Sequence, residues 1–203
     1  MQKELEHFYI GKSYGGNQDW MQDPWMKLGG CAALAAVDSC ICLTLFKKQK
    51  GLCPVDPRKL TKESYRSFAM IMKPYISPRW HGVDKLCYFT EGFGEYLGDR
   101  GVKTVSMEEL PMGTPVVKAE DAIRRQIGEG ILVPILHLNP MTKRVGEYRW
   151  HWFLLNGYRE TEEGFEVKAV TYGEYEWVKL SELWNEEDRA NGGLILYTLT
   201  QGT

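Results

Sequence analysis

No apolar run in this 203-residue chain reaches the ~20 residues needed to cross a bilayer. The segment Met1–Ile10 carries charges where a signal peptide would need an apolar core, so the expected location is the reducing cytoplasm. Charge of one sign is lacking too. Twenty-five Lys and Arg stand against 27 Asp and Glu, a net charge of −2. With a pI near 6.1, nothing favours a nucleic-acid or membrane partner. There is no Cys-x-x-Cys pair. The five cysteines, Cys31, Cys40, Cys42, Cys53 and Cys87, are odd in number, and three crowd into one segment, which argues against a disulfide framework. Cys40 and Cys42 lie two apart on a predicted helix and so point in different directions. The four histidines, His7, His81, His137 and His151, are scattered. No metal or other cofactor is expected. Repeats, low-complexity tracts and linkers are also missing, so one domain is expected over 1–203.

What is present centres on residues 29–46, where Gly29 and Gly30 lead into Cys31-Ala32-Ala33-Leu34-Ala35-Ala36-Val37 and a further apolar stretch to Phe46. This predicts a helix that is apolar nearly all round and therefore buried. Cys31 falls in its first turn, where unpaired amides and the positive end of the helix dipole favour a thiolate. Gly29 and Gly30 would let a bound group approach the backbone. The competing reading is an inert cysteine packed like a small hydrophobe.

Upstream, residues 11–30 read as a loop rich in Gly, Asn, Asp and Trp, with turn chemistry at Tyr14-Gly15-Gly16-Asn17 and glutamines at 18 and 22. Downstream, Lys47–Gly51 reads as a basic helix end closed by glycine. Helices are predicted over Thr61–Met72 (Tyr65, Phe68, Ala69 and Met72 inward), Gly82–Leu97 and Val117–Ile127, with a short strand at Val102–Met107. From about residue 131 the texture becomes extended. Strands are expected at Ile131–Leu138, Tyr148–Tyr158, Phe165–Thr171, Glu174–Lys179 and Leu194–Leu199, with a short helix at Leu180–Trp184. Helices followed by antiparallel strands predict an α+β fold, helical over about 1–130 and β over about 131–203.

A thiol nucleophile needs a base within hydrogen-bond reach and a third group to orient that base. His151, on a strand between Trp150 and Trp152, is the candidate; the alternative is a core histidine bonded to a carbonyl. His137 reads as a strand-end residue before the Asn139-Pro140 turn, and His7 and His81 read as solvated.

Two segments together, Gly-Cys-Ala-Ala-Leu-Ala at 30–35 and His-Trp-Phe-Leu-Leu-Asn-Gly-Tyr at 151–158, resemble the C39-like peptidases of the papain-like cysteine peptidase superfamily. Tyr-Gly-Gly-Asn-Gln-Asp-Trp at 14–20 is similar to the entry loop of some clostridial members. The resemblance implies a papain-like fold with Cys31 as nucleophile and His151 as general base. It also implies an oxyanion-hole glutamine, Gln18 or Gln22, of which the Asn-Gln-Asp-Trp context favours Gln18. The chain departs from the pattern in two places. Cys31-Ala32-Ala33 stands where the family has Cys-Gly-Pro. At the third position, where the family has Asp or Asn, stand Thr171 and Tyr172, with Glu174 in the turn and Asn156 on the strand of His151 as remoter substitutes. The implied activity is thiol-dependent hydrolysis of a peptide or small acyl or amide substrate through an acyl-enzyme. An acyltransferase on the same fold, or a weakened domain serving as a binding or scaffold protein through a cleft of Trp20, Trp25, Trp150 and Trp152, remain alternatives.

Overall fold

The computed structural model describes residues 1–138, 151–185 and 192–200. The expected Asn139-Pro140 turn and the Tyr148–Trp150 end of the second strand lie outside these residues, as does Trp150 as a cleft residue.

The architecture is mixed α+β. An antiparallel sheet runs in the order β4 (Val105–Pro111), β9 (Gly193–Leu199), β5 (Val133–His137), β6 (His151–Thr161), β7 (Gly164–Thr171), β8 (Glu174–Lys179), and β1 (Gln2–Glu4) adds to β6. The β-lobe therefore draws β1 and β4 from before residue 130. A small hairpin, β2 (Tyr9–Ile10) and β3 (Ser13–Tyr14), stands apart from this sheet.

The central strands β5 and β6 are buried on both faces over most of their length, and β6 shows why its sequence reads as a continuous apolar run rather than an alternation. Trp152 and Leu154 point to one core, with α2 (Cys31–Lys47), α3 (Lys62–Met72) and α4 (Leu86–Asp99). Phe153 and Leu155 point to the other, under α5 (Val116–Gly128) and α6 (Leu180–Leu183). A slip of one residue would exchange the two sets, so burial on both sides pins the register of His151 opposite His137.

Helix α2 is buried throughout from Cys31 to Leu43. It ends at Lys47, with Lys48 rather than Gly51 in the left-handed conformation (φ 58°) and donating its N–H to Leu43 O. The expected glycine cap is thus displaced by three residues, and Gly51 (φ 80°) serves the following turn instead. At the other end the cap residue Gly30 offers no side-chain bond, which leaves the first amides of α2 without a side-chain cap. A Cβ at Gly30 would collide with the Met26 carbonyl oxygen, so this glycine is required by packing against the preceding helix. That helix, α1 (Pro24–Gly29), lies within the stretch expected to be loop. Its signals are local: the Asp23 carboxylate accepts from Met26 N, and Pro24 sits at the first position. A six-residue helix is too short to show a period.

Helix α3 carries the expected inward residues, and its Thr61 cap exchanges side-chain bonds with Ser64. Helix α4 starts at Leu86 rather than Gly82, with Leu86, Phe89 and Phe93 buried as predicted. Among the described residues no helix is long and apolar enough to cross a membrane.

Candidate active-site cleft

The N-terminus of α2 and the ends of β6 and β7 meet at a cleft of about 450 Å³ whose walls include Gln18, Cys31, His151 and Tyr172. Behind it lies a narrow cavity of about 30 Å³, bounded by Cys31, His151, Thr171, Asp38 and Tyr65. Cys31, Leu34, Ala35 and Asp38 share this cavity because they recur at helical spacing on one face of α2.

Each side chain is positioned by an identifiable element. Cys31 is the first residue of α2, and its sulfur is approached by the backbone amides of Cys31, Ala32 and Trp152. Burial nevertheless pushes its thiol above the ordinary value, and those amides offset this in part. His151 begins β6, and its Nε2 lies 2.7 Å from Thr171 Oγ1. Apart from Thr171, no described residue, Cys31 included, is hydrogen-bonded to the His151 ring. The Nδ1 side of the ring is therefore uncommitted among the described residues. Burial lowers the His151 pKa to about 4. Both shifts favour the neutral forms, thiol and imidazole. This is the opposite of the thiolate expected from a helix N-terminus alone, because desolvation outweighs the partial charge of the amides.

Gln18 opens a short 3₁₀ turn (Gln18–Trp20) capped by Asn17. It is buried, and its Nε2 donates to Lys27 O at 2.9 Å. A carbonyl can only accept, so this bond orients the amide and leaves the second Nε2 hydrogen uncommitted among the described residues. Oε1 has no partner among them either, a departure from satisfied burial of the kind that collects at functional sites. Gln22, the other candidate, is exposed and does not line the cleft.

Two further features were not anticipated. Tyr172 is held at φ 50° in the β7–β8 turn, a strained conformation for a bulky residue, and its ring stacks on His151 at 5.1 Å and 9°. The turn is pinned to the entry loop, since Asn17 Nδ2 donates to Tyr172 O at 2.7 Å and Tyr14 N to Gly173 O at 2.8 Å. The Tyr-Gly pair between two alternating strands was the available signal for a turn with positive φ. The second feature is Asp38, buried on α2. It accepts from Tyr65 Oη at 2.7 Å and Gly16 N at 3.2 Å, and burial raises its pKa to about 7.

Other candidates sit elsewhere. Glu174 is exposed at the start of β8 and makes no bond to His151. Asn156 is buried and donates to Tyr14 Oη. His137 is buried with Nδ1 3.1 Å from Leu183 O. His7, expected to be solvated, is instead buried, with Nδ1 3.5 Å from Cys42 Sγ and its pKa lowered by burial to about 3. The β2–β3 hairpin folds this part of the N-terminal segment over α2. His81 does line the cleft. Of the expected aromatic residues, Trp25 lines the outer cleft, whereas Trp20 packs edge-on against Tyr65. Trp152 is buried against Phe89 at 4.7 Å and donates to Val83 O at 2.6 Å. The five cysteines are free, and no group of three potential metal ligands occurs among the described residues.

Fold and site together define an α+β protein with a cysteine, a histidine and a buried glutamine converging on one cleft. No family model and no curated protein matches the chain.

Proposed function

We propose that this protein is a papain-like, thiol-dependent acyl-transfer enzyme, most simply a hydrolase of peptide or amide bonds. The observation that carries this reading is the convergence of Cys31, His151 and an amide-oriented Gln18 on the same cleft. It agrees with the resemblance of the two segments to C39-like peptidases.

In the tautomer whose Nε2–H donates to Thr171 Oγ1, Nδ1 of His151 keeps a lone pair with which to act as the base. Because the resting pair is neutral, the reaction starts by general base catalysis. His151 takes the thiol proton as Cys31 Sγ bonds to the substrate carbonyl carbon. The oxyanion is met by the Gln18 Nε2–H and the amides at the start of α2. Collapse expels the leaving group, which takes the proton from His151, and leaves a thioester. Water, deprotonated by His151, then releases the acid and regenerates the thiol; an amine in place of water gives a transferase.

The test is intact-mass analysis after exposure to p-nitrophenyl acetate, followed by peptide mapping. The expected result is a stoichiometric acetyl group on Cys31 that is absent in Cys31→Ala and slow in His151→Ala. Acetylation no faster at Cys31 than at Cys53 and Cys87 would refute the reading. In that case the neutral pair, with Thr171 where a carboxylate would stabilise an imidazolium, favours the second reading, a domain that binds through this cleft without turnover.

A further inference from the structure

The outer rim of the cleft carries an unusual combination of exposed groups. Trp80 is 82% exposed, Leu28 80% and Trp25 47%, and the two indoles meet edge to face at 6.3 Å. Single exposed apolar residues are ordinary; three together on the wall of a concave site mark a surface meant to be covered. Arg79 lies in the same wall with its guanidinium 3.7 Å over the Tyr88 ring. Among the described residues no carboxylate pairs with it. A guanidinium held flat against an aromatic ring keeps its edge available as a two-pronged donor for a carboxylate.

No acidic side chain lines this cleft among the described residues. Asp84, two residues beyond Gly82, is not among the residues lining the cleft. Asp23 caps α1 and pairs with Lys73 at 2.7 Å, and Asp19 sits in the 3₁₀ turn, where its charge acts on Tyr172. The cleft lining is thus cationic and aromatic at the Arg79–Trp80 end. At about 450 Å³ the cleft is in the size range of small-ligand sites.

We propose that this cleft selects an acyl donor carrying an aromatic side chain next to a carboxylate, an acidic–aromatic peptide segment, with the ring against Trp25 and Trp80 and the carboxylate on Arg79. The proposal rests on the acyl-transfer reading for the identity of Cys31 as the reacting group, but it can be tested by binding alone.

The probes are the capped dipeptides Ac-Glu-Phe-NH2, Ac-Gln-Phe-NH2 and Ac-Glu-Ala-NH2. They are titrated calorimetrically into the Cys31→Ala protein, which removes turnover. Ac-Glu-Phe-NH2 should bind best, with both replacements weaker, the neutral Gln peptide by roughly fivefold, the upper range for an exposed ion pair. Adding Arg79→Gln should erase the Glu/Gln distinction and keep the Phe/Ala one. Adding Trp80→Ala should do the reverse. Both positions are on the surface, so neither change threatens the fold.

Equal affinities, no binding at millimolar peptide, or a Glu preference that survives Arg79→Gln would each overturn the proposal. The two readings fail separately. Selective binding without acetylation of Cys31 in the wild type removes the enzyme and keeps the site. Acetylation without peptide selectivity does the opposite.

Discussion

Replacing Thr171 by aspartate should convert the neutral resting pair into a more reactive one. In the wild type the group beside His151 Nε2 is an uncharged hydroxyl at 2.7 Å, and burial holds the imidazole at a pKa of about 4. A carboxylate at that distance attracts an imidazolium by ~6 kcal/mol at an effective dielectric of ~20, before the cost of burying the new charge is subtracted. Neighbouring opposite charges in proteins typically move a pKa by ~1–3. His151 should therefore titrate between roughly 5 and 7 in Thr171→Asp, a stronger base still mostly neutral at physiological pH. The assay is an NMR titration of the His151 ring protons, with the iodoacetamide alkylation rate of Cys31 followed by mass spectrometry across the same pH range. In the wild type, burial places the inflection of Cys31 alkylation above that of an ordinary thiol. In the variant it should fall as the imidazolium gains a partner, and His151→Ala on top should abolish the gain. If the His151 resonance still titrates near 4 in Thr171→Asp, with unchanged alkylation, Thr171 does not govern the base and the assigned orientation of the ring is wrong.

Gln18→Ala should lower the rate of Cys31 acylation by ~10²-fold, the usual loss of one oxyanion donor. Gln22→Ala, an exposed position, should leave it unchanged, and stopped-flow release of p-nitrophenol measures both. Asp38 keeps its proton to about pH 7 when folded but loses it near 3.8 when unfolded, so its contribution to stability is fully present below ~4 and is lost as the pH rises toward 7. His7 and His151, both depressed by burial, make stability rise with pH over much of the same interval. The difference between the urea-unfolding curves of wild type and Asp38→Asn at pH 4.5 and 7.5 isolates the Asp38 part, and the variant should lack its decline. Gly30→Ala should destabilise by ~1–3 kcal/mol through collision with the Met26 carbonyl. At Gly29 the nearest atom to an added Cβ would be Pro78 Cβ at 3.6 Å, and the same change should be nearly silent in urea unfolding.

The sequence showed most of the frame because its signals were long or repeated. The apolar stretch after Cys31 and the Tyr65–Phe68–Ala69–Met72 spacing run long enough to specify an element; Phe165–Thr171 reads as an alternating, half-buried strand, and it is a strand, but one buried continuously from Val167 to Val170. The short pieces, α1 and the β2–β3 hairpin, repeat nothing; they rest on one cap and one turn, and Asp23-Pro24 was the readable clue. For the site, the order of Cys31 and His151 named the candidates, but their protonation was misleading. The position at a helix N-terminus is visible in a sequence, whereas the desolvation that outweighs it depends on what β6 and β7 lay over the thiol. Tyr172 is visible at the third position, but not its stacking on His151, which comes from a strained backbone angle; His7 reads as solvated because its burial depends on a hairpin too short to detect.

The cleft is assembled from chain segments that are made far apart in time. Cys31 stands at the start of α2, while its proposed base follows about 120 residues later at the start of β6. At synthesis rates of ~5–20 residues per second, the thiol precedes that histidine by roughly 6–24 s. The turn that fixes Tyr172 arrives later still, and only then can Asn17 and Tyr14 close onto it. Until that point the nascent chain carries an ordinary cysteine with no base, no stacked tyrosine and no walls. Any reactivity specific to Cys31 is therefore a property of the finished molecule, and its appearance during translation or refolding times the closure of the sheet over α2.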